Sequence, residues 1–192
     1  MKLEKDFYLR KDVVQISKEL IGKVIHRMHE GQVLSGIICE TEAYNGTIDK
    51  ASHAYGGRRT ARTETMYQEG GLSYVYLCYG IHKLFNVITN KQDIPHAVLI
   101  RGIVPLEGKE QQVKNRGQKR FKQSDFLGPG KVTQALKIEM SENQQSLFGT
   151  EIWIEDQGIK VLSDQIISGP RVGVDYAGED ALLPYRFQYF NF

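Results

Sequence analysis

VLSGIICETEAY, residues 33–44, is an apolar run that ends in two carboxylates and a phenol. The apolar residues predict a buried strand, and side chains two positions apart on a strand point to the same face. Glu40, Glu42 and Tyr44 should therefore share one face. The stretch predicts a strand that carries a cluster of ionisable groups at its end.

A second stretch, Ser73-Tyr-Val-Tyr-Leu-Cys-Tyr-Gly80, precedes a β-branched and aromatic run at 84–89. Two such runs around a glycine turn predict a β-hairpin. Tyr74 is expected to pack across the strands, whereas Tyr79 should be exposed at the tip. An exposed aromatic side chain at a hairpin tip is suited to stacking or wedging between bases.

The flanking elements follow from the same patterns. Apolar residues at helical spacing before Gly22 predict a helix from about Arg10 to Ile21. The long polar loop after Asn45 carries one expected helical turn, near Thr65–Gln68. The other predictions are strands at 23–29 and 97–104, helices at 106–116 and after Gly128, and short strands at 151–154, 159–167, 171–174 and 185–190.

These elements predict an α+β fold. A chain of 192 residues with 41% hydrophobic content suits one globular domain, and no repeat or linker divides it. Short turns between strands make the sheet mostly antiparallel and curved, with flanking helices and a protruding β-hairpin. We therefore expect residues 1–192 to form a single domain.

Charge is segregated along the chain, although the formal net charge is only +2. Arg58, Arg59 and Arg62 lie close together, a second basic run spans 109–122, and acidic residues gather at 139–164. This segregation would give a basic face for a phosphate backbone. It equally describes an ordinary solvated surface, so charge alone leaves both interpretations open.

Other features indicate the compartment and disfavour several enzyme classes. Cys39 and Cys78 lie in apolar strands, which predicts buried thiols rather than a disulfide. The N-terminus lacks an apolar signal segment, and no stretch reaches membrane-span length, so we expect a soluble, intracellular protein. The five histidines lack a metal-binding motif, no Gly-x-Ser-x-Gly elbow occurs, and the phosphate-loop pattern before Lys131 fails at Asp125.

Two neighbouring carboxylates raise each other's pKa, which suits acid–base work at a glycosidic bond. Glu40 and Glu42 would form such a pair. Arg101 lies within a predicted apolar strand, where it needs an anionic or polar partner, and it could balance this pair. A structural role for either glutamate, at a sheet edge or in an ion pair, stays open on these residues alone.

Several motifs occur in a fixed order. They are Glu40-Thr-Glu-Ala-Tyr44, His53 with Gly56-Gly-Arg58, Tyr74-Val-Tyr-Leu-Cys-Tyr-Gly80, Asn86, Leu99-Ile-Arg101, Gly128-Pro-Gly-Lys131 and Arg171-Val-Gly-Val-Asp-Tyr-Ala-Gly-Glu179. Together they resemble the alkyladenine (3-methylpurine) DNA glycosylase family over nearly the whole chain. The fold of that family, a mixed α/β domain with a curved antiparallel sheet and a protruding hairpin, agrees with the elements predicted above.

The resemblance implies catalytic and stacking roles for particular residues. Glu42 is similar to the general base that activates water. Arg101 and the backbone carbonyl of Val172 are similar to the groups that hold this water. Tyr44 and Tyr76 resemble the walls around a flipped purine.

The remaining implied roles concern recognition. His53 is similar to the residue that hydrogen-bonds the purine, and Asn86 to the residue that crowds the 2-amino group of guanine. Tyr79 resembles the wedge that fills the gap left in the duplex. The positions that the resemblance places against DNA are Arg58, Thr60, Tyr79, Ile81 and His82. A tyrosine would be familiar at position 82, which makes His82 a departure from the family pattern.

The resemblance implies a base-excision-repair enzyme that acts on double-stranded DNA containing damaged purines. It would flip an alkylated or deaminated purine, such as hypoxanthine, out of the duplex and hydrolyse its N-glycosidic bond, leaving an abasic site. No lysine is placed to form a Schiff base, so we expect a monofunctional hydrolase without metal or organic cofactor. We also expect a monomer that is cytoplasmic, associated with DNA and not bound to membranes.

Two other classes remain open. A non-enzymatic nucleic-acid-binding module would explain the basic loops and Tyr79, but it leaves Glu40 and Glu42 on one strand face without a reason. An O-glycoside hydrolase would use the carboxylate pair and the aromatic walls, but it would have little need for the basic segment. Release of a base from damaged duplex DNA distinguishes the three classes.

Overall fold

The strand β2 (Gln32–Asn45) is the centre of the sheet in the computed structural model, which describes residues 1–192. β5 (His96–Pro105) pairs along one edge of β2. On the other edge, β1 (Val24–His29) pairs with the first half of β2 and β8 (Arg186–Gln188) pairs with residues 40–42. The end of β2 that carries the carboxylates is therefore enclosed by strands on both sides.

The sheet contains eight strands in the order β3-β4-β5-β2-β1-β6, with β7 and β8 off this path, and every pairing is antiparallel. The remaining strands are β3 (Ser73–Cys78), β4 (His82–Thr89), β6 (Ile152–Glu155) and β7 (Ile167–Gly169). The sheet curls into a half-barrel with a few helices beside it. The predicted α+β class, antiparallel sheet and β3–β4 hairpin are confirmed.

A β-bulge in β2 determines which residues face the core. Before the bulge, Leu34 and Ile38 point into the main hydrophobic core. The pairing with β5 shifts register on both sides of Glu40, and afterwards Ala43 packs in the core while Thr41 bonds to Ser17 beneath it. An extra residue changes the phase of the side-chain alternation by one. The even-numbered residues after the bulge therefore lie on the opposite face from this core.

The helices cover the face of the sheet that carries this core, where α2 packs on β2 and α4 on β4 and β5. The four helices are α1 (Lys5–Tyr8), α2 (Val13–Glu19), α3 (Lys109–Asn115) and α4 (Pro129–Leu136). None of them has the length and apolar character needed to cross a lipid bilayer. The helix expected at 10–21 is shorter than predicted, because the Asp12 carboxylate accepts the Gln15 N–H at 2.9 Å and caps the helix there.

The helix expected at 106–116 begins later than predicted. Leu106 donates its backbone N–H to the carbonyl of Ser35, and Glu107 accepts from the Ser35 N–H, so the chain continues beside β2 after β5 ends. Gly108 then adopts a left-handed conformation with φ 64°. α3 starts only after this turn.

Two of the predicted short strands are wrong. Residues 159–167 form irregular backbone and a 3₁₀ turn at Ser163–Gln165, with β7 starting only at Ile167. Val161 and Ile166 pack against the outside of the main core, so their apolar character reflects tertiary packing rather than strand pairing. Residues 171–174 are also irregular, and a 3₁₀ segment at Asp175–Leu182 follows them.

The long loop after β2 contains three 3₁₀ turns, at Gly46–Ile48, Tyr55–Gly57 and Glu64–Tyr67. The third coincides with the helical turn predicted near residues 65–68, and the first two were not predicted. Met66 and Tyr67 pack with Tyr74 in a second, smaller core. The loop is therefore packed onto the sheet.

A buried ion pair joins this loop to the C-terminal segment. The Arg171 guanidinium donates to both carboxylate oxygens of Asp49, at 2.5 and 2.8 Å, and to the carbonyls of Ala43 and Asp180. The solvent-exposed fraction of the side chain is 0% for Arg171 and 1% for Asp49. This pair fixes the segment that starts at Arg171 against the end of β2.

Asp49→Asn is expected to lower the free energy of unfolding by about 3–5 kcal/mol, because it leaves the Arg171 charge buried without a counter-charge. Chemical denaturation measures this change. The matched control is Glu69→Gln, which removes the exposed ion pair with Lys5 and should change the free energy by less than about 1 kcal/mol. Equal effects of the two substitutions would contradict the importance assigned to the buried pair.

Candidate active site

Glu42 is fully buried at the end of β2, on the face that the bulge turns away from the main core. Its Oε1 accepts the backbone N–H of Val172 at 2.8 Å, and its Oε2 accepts the hydroxyl of Tyr44 at 2.9 Å. Arg101 Nε lies 3.4 Å from Oε1. Three separate elements, β2, β5 and the segment after Arg171, therefore hold one carboxylate.

Burial raises the pKa of Glu42 above its ordinary value. The Arg101 charge, the Val172 N–H and the Tyr44 hydroxyl oppose this shift, while Glu40 adds to it. The net effect of these groups and of burial is a Glu42 pKa above its ordinary value. A carboxylate with a raised pKa is a stronger base than an exposed one once it is ionised.

Glu40 lies on the same face as Glu42, as the sequence predicts, and Arg101 contacts both carboxylates. Arg101 thus has the anionic partners that its position in an apolar strand requires. Gly102 lies opposite Glu40 in the β2–β5 pairing. A Cβ atom at Gly102 would come within 3.0 Å of Glu40 Cβ and 3.1 Å of Cys39 Sγ, so a side chain there would crowd both residues.

A cavity of about 740 Å³ opens beside Glu42, between the loop after β2, the β3–β4 hairpin, the start of α4 and the segment after Arg171. Hydrophobic residues make up 14 of the 26 that line it. Its lining includes most of the residues singled out from the sequence: Tyr44, His53, Tyr76, Tyr79, His82, Asn86, Arg101 and Val172. Glu42 lies directly behind Tyr44 and Val172, to which it is hydrogen-bonded.

Aromatic rings form one wall of the cavity. His53 meets the edge of Tyr76 with ring centroids 4.7 Å apart, and Tyr74 lies against Tyr76 at 5.3 Å. His53 Nδ1 is 3.1 Å from the Tyr74 hydroxyl. Burial and the positive charges of Arg62 and Arg58 lower the pKa of His53 to about 4. The imidazole is therefore neutral at pH 7.

Tyr44 forms another part of the lining, and its orientation is fixed from two sides. Its hydroxyl donates to Glu42, and the Arg171 guanidinium lies 4.9 Å from the ring centroid. Burial and the Glu42 charge raise the pKa of Tyr44, so the phenol remains a donor. Tyr44 therefore links the cavity wall directly to the buried carboxylate.

Asn86 is buried on β4, where it pairs with Tyr74 on one side and Leu99 on the other. Its Nδ2 donates to the Tyr74 carbonyl at 3.1 Å. This bond fixes the orientation of an amide that lines the cavity. Tyr74 itself is buried in the smaller core, which confirms the packing role predicted for it.

The tip of the β3–β4 hairpin is strongly exposed and apolar. Tyr79 is 87% exposed and Ile81 is 72% exposed. Tyr79 and Gly80 both adopt left-handed φ values, 50° and 74°, and the Ile81 N–H closes the turn on the Cys78 carbonyl at 3.1 Å. The exposure predicted for Tyr79 is confirmed, and a protruding apolar tip of this kind is typical of a binding surface.

Not every residue singled out from the sequence reaches the cavity. Arg58, Thr60 and Ile81 are exposed but do not line it. Thr60 is engaged with Thr63 within the loop, and the Arg58 carbonyl accepts the Tyr67 hydroxyl. His82 does line the cavity, beside Gly130 at the start of α4.

Other residues of the site were assigned no role in it from the sequence. Arg171 supports Tyr44, Arg186 pairs with Glu40, and Arg62 lies 5.0 Å from the Tyr76 ring centroid. Tyr176 lines the cavity mouth, with its hydroxyl bonded to the Ala51 carbonyl. The sequence signal that could have drawn attention to Arg171 is its position between Pro170 and the apolar Val172. The other contacts depend on tertiary geometry.

Cys39 and Cys78 are free thiols. Cys39 is buried as predicted, whereas Cys78, near the exposed end of the β3–β4 hairpin, is only partly buried. Burial raises the pKa of the Cys39 thiol, which keeps it protonated. No three side chains of the His, Cys, Asp and Glu types come together in a way that could hold a metal ion.

Comparison with known proteins gives a consistent result. The family model described as Methylpurine-DNA glycosylase (MPG) matches residues 6–191. A relative from Chlamydia abortus is 49% identical over 186 residues, with 96% of each chain covered. Relatives from Clostridium perfringens and Desulfitobacterium hafniense are 45% and 44% identical, over 97% of this chain and 95% and 94% of theirs. All three are named "Putative 3-methyladenine DNA glycosylase".

Proposed function

Because the chain belongs to the methylpurine-DNA glycosylase family, we propose that it excises alkylated purines, and deaminated purines such as hypoxanthine, from double-stranded DNA and leaves an abasic site. One observation carries this proposal. The buried carboxylate of Glu42, with its raised pKa, lies behind the wall of an aromatic cavity large enough for a nucleotide. A general base placed beside such a pocket accelerates hydrolysis of an N-glycosidic bond.

Glu42 would act as the general base. Its ionised carboxylate accepts a proton from water as the water oxygen attacks C1′ of the deoxyribose, and the purine leaves with the electrons of the C1′–N bond. Arg101 and the backbone carbonyl of Val172 would orient the water, since Arg101 Nε and the Val172 N–H both lie against Oε1 of Glu42. A purine methylated at N3 or N7 is already cationic and leaves as a neutral base.

The Glu42 charge has a second use in this reaction. Positive charge develops on the sugar as the glycosidic bond breaks, and a nearby carboxylate stabilises this oxocarbenium-like state. The effect is stronger in a water-poor site, because the effective dielectric constant is lower there. One buried group would thus activate water and stabilise the sugar.

The aromatic rings would bind the flipped base. Tyr44 and Tyr76 line the cavity and would stack on a purine, and a cationic, alkylated base gains additional attraction from their π faces. His53 would hydrogen-bond the purine. With a pKa of about 4, His53 is a poor source of a proton for a neutral base at pH 7, so its proposed role is recognition.

Asn86 would exclude normal guanine. Its amide is fixed by the bond to the Tyr74 carbonyl, so it cannot easily move away from an extra group on the base. A 2-amino group would meet this fixed side chain, whereas adenine derivatives and hypoxanthine lack that group. Exclusion of this kind works by steric conflict with the wrong substrate.

The hairpin would bind and open the duplex. Tyr79 would enter the base stack as the damaged nucleotide leaves it, and the contacts at Arg58, Thr60, Ile81 and His82 would hold the flanking DNA. We propose that a single copy of the chain suffices. Membership of the family also favours an enzyme over the binding module and the O-glycoside hydrolase that the sequence alone left open.

Glu42→Gln is expected to preserve the fold and binding to damaged duplex, because the amide has the same shape. Single-turnover excision of 3-methyladenine should fall by at least about 10²-fold, because the general base is lost. Glu155→Gln, which changes a distant carboxylate on β6, is the matched control and should excise normally. Excision by Glu42→Gln at the unaltered rate would reject Glu42 as the base.

Tyr79→Ser is expected to reduce excision about 5- to 150-fold on fully paired duplex, the equivalent of ~1–3 kcal/mol of lost base stacking. The loss should be small when the target base is already unpaired, because no stacking has to be replaced. A fluorescent base beside the lesion reports flipping directly. Tyr55→Ser, an exposed tyrosine outside the cavity, is the control. Equal losses of Tyr79→Ser on paired and unpaired substrates would indicate a role in the pocket instead.

A further inference from the structure

Glu40 has no role in the proposed reaction, yet three side-chain hydrogen bonds fix the position of its carboxylate. Oε1 of Glu40 accepts hydrogen bonds from Arg186 Nε at 2.7 Å, Arg101 Nε at 3.2 Å and Gln188 Nε2 at 3.3 Å. Its side chain is only 6% exposed. Burying a charge is costly unless it is paired and hydrogen-bonded, and β8 supplies two of these three donors.

The Arg101 guanidinium lies between the carboxylates of Glu40 and Glu42. Its Nε lies 3.2 Å from Oε1 of Glu40 and 3.4 Å from Oε1 of Glu42. The hydrogen-bonding geometry is met only toward Glu40. Its terminal nitrogens make no hydrogen bond within the protein, and the residue lines the cavity. Glu40 therefore takes the Nε hydrogen bond that would otherwise go to Glu42.

We propose that Glu40 is a positioning residue that binds Arg101 in competition with Glu42, so that Glu42 remains basic enough to take a proton from water. Arg101 is held at the cavity by the same bond, with its terminal nitrogens available to the substrate or water. This inference rests on the proposed function, because it assigns Glu40 a part in the chemistry of Glu42.

The groups around Glu42 set the direction of the expected effects. The charged and titratable side chains that face it are Glu40 and Tyr44 on β2, Arg101 on β5, Arg186 on β8 and Arg171 beside Val172. Glu40 raises the pKa of Glu42, and Arg101 lowers it. Removing the Glu40 charge would thus lower this pKa. Removing Arg186 would leave Glu40 less neutralised and more strongly bound to Arg101, which would raise it.

Two substitutions with opposite expected effects test the proposal. Single-turnover excision of 3-methyladenine, a cationic base that needs no protonation and lacks a 2-amino group, is measured against pH. Excision requires ionised Glu42, so the rate rises with pH through the pKa of Glu42. Glu40→Gln should move this acidic limb down by about one pH unit, the scale of a single neighbouring charge. Arg186→Gln should move it up by less, because Arg186 is 27% exposed.

Carbon-13 labelling of glutamate side chains tests whether the rise of the rate with pH belongs to Glu42. The labelled Glu42 carboxyl should titrate at the same pH as the rate in each variant. Glu142→Gln changes a distant carboxylate that is also paired with an arginine, Arg27, and should leave the limb in place. Opposite displacements in the two test variants support the proposal. A limb that stays in place in Glu40→Gln, with or without a change in the maximal rate, overturns it and leaves a structural role. Absence of base release by the unaltered protein would overturn the proposed function itself.

Discussion

The burial of one carboxylate, Glu42, is the constraint on which the site depends. A buried charge is strongly unfavourable unless hydrogen bonds and counter-charges compensate for it. Here the compensation comes from Tyr44, the Val172 N–H and Arg101, which belong to three different parts of the chain. These partners leave the pKa of Glu42 above its ordinary value. The carboxylate is thus stably buried and keeps the raised pKa that suits its proposed role as a general base.

The fold supplies these partners through the bulge in β2. By changing the phase of alternation, the bulge lets one strand contribute Leu34 and Ile38 to the main core and Glu42 to the opposite face. The segment after Arg171 closes over that face and is anchored by the buried pair with Asp49. The same sheet extends through β3 and β4 into the exposed hairpin, so the carboxylate, the aromatic cavity and the proposed wedge share one rigid support.

The local patterns of the sequence predicted the central strand β2 and the β3–β4 hairpin correctly. β2 and the β3–β4 hairpin follow from alternation and turn residues, and the burial of Tyr74 and exposure of Tyr79 follow from their places in the hairpin. The strand predicted at 159–167 is wrong because apolar residues there pack without pairing. The β2 bulge and the pairing of Glu40 with Arg186 and Gln188 of β8 could not be predicted, because both depend on which strands become neighbours.

Binding of a duplex with a pyrrolidine nucleotide in place of the damaged one tests the central claim most directly. The protonated pyrrolidine mimics the charged sugar, and an uncharged tetrahydrofuran nucleotide is its neutral counterpart. The cation should bind at least about 10²-fold more tightly, as other transition-state analogues do, and Glu42→Gln should abolish this preference. Equal affinities of the unaltered protein for the two duplexes, or a preference that persists in Glu42→Gln, would contradict a buried Glu42 charge that stabilises the reacting sugar.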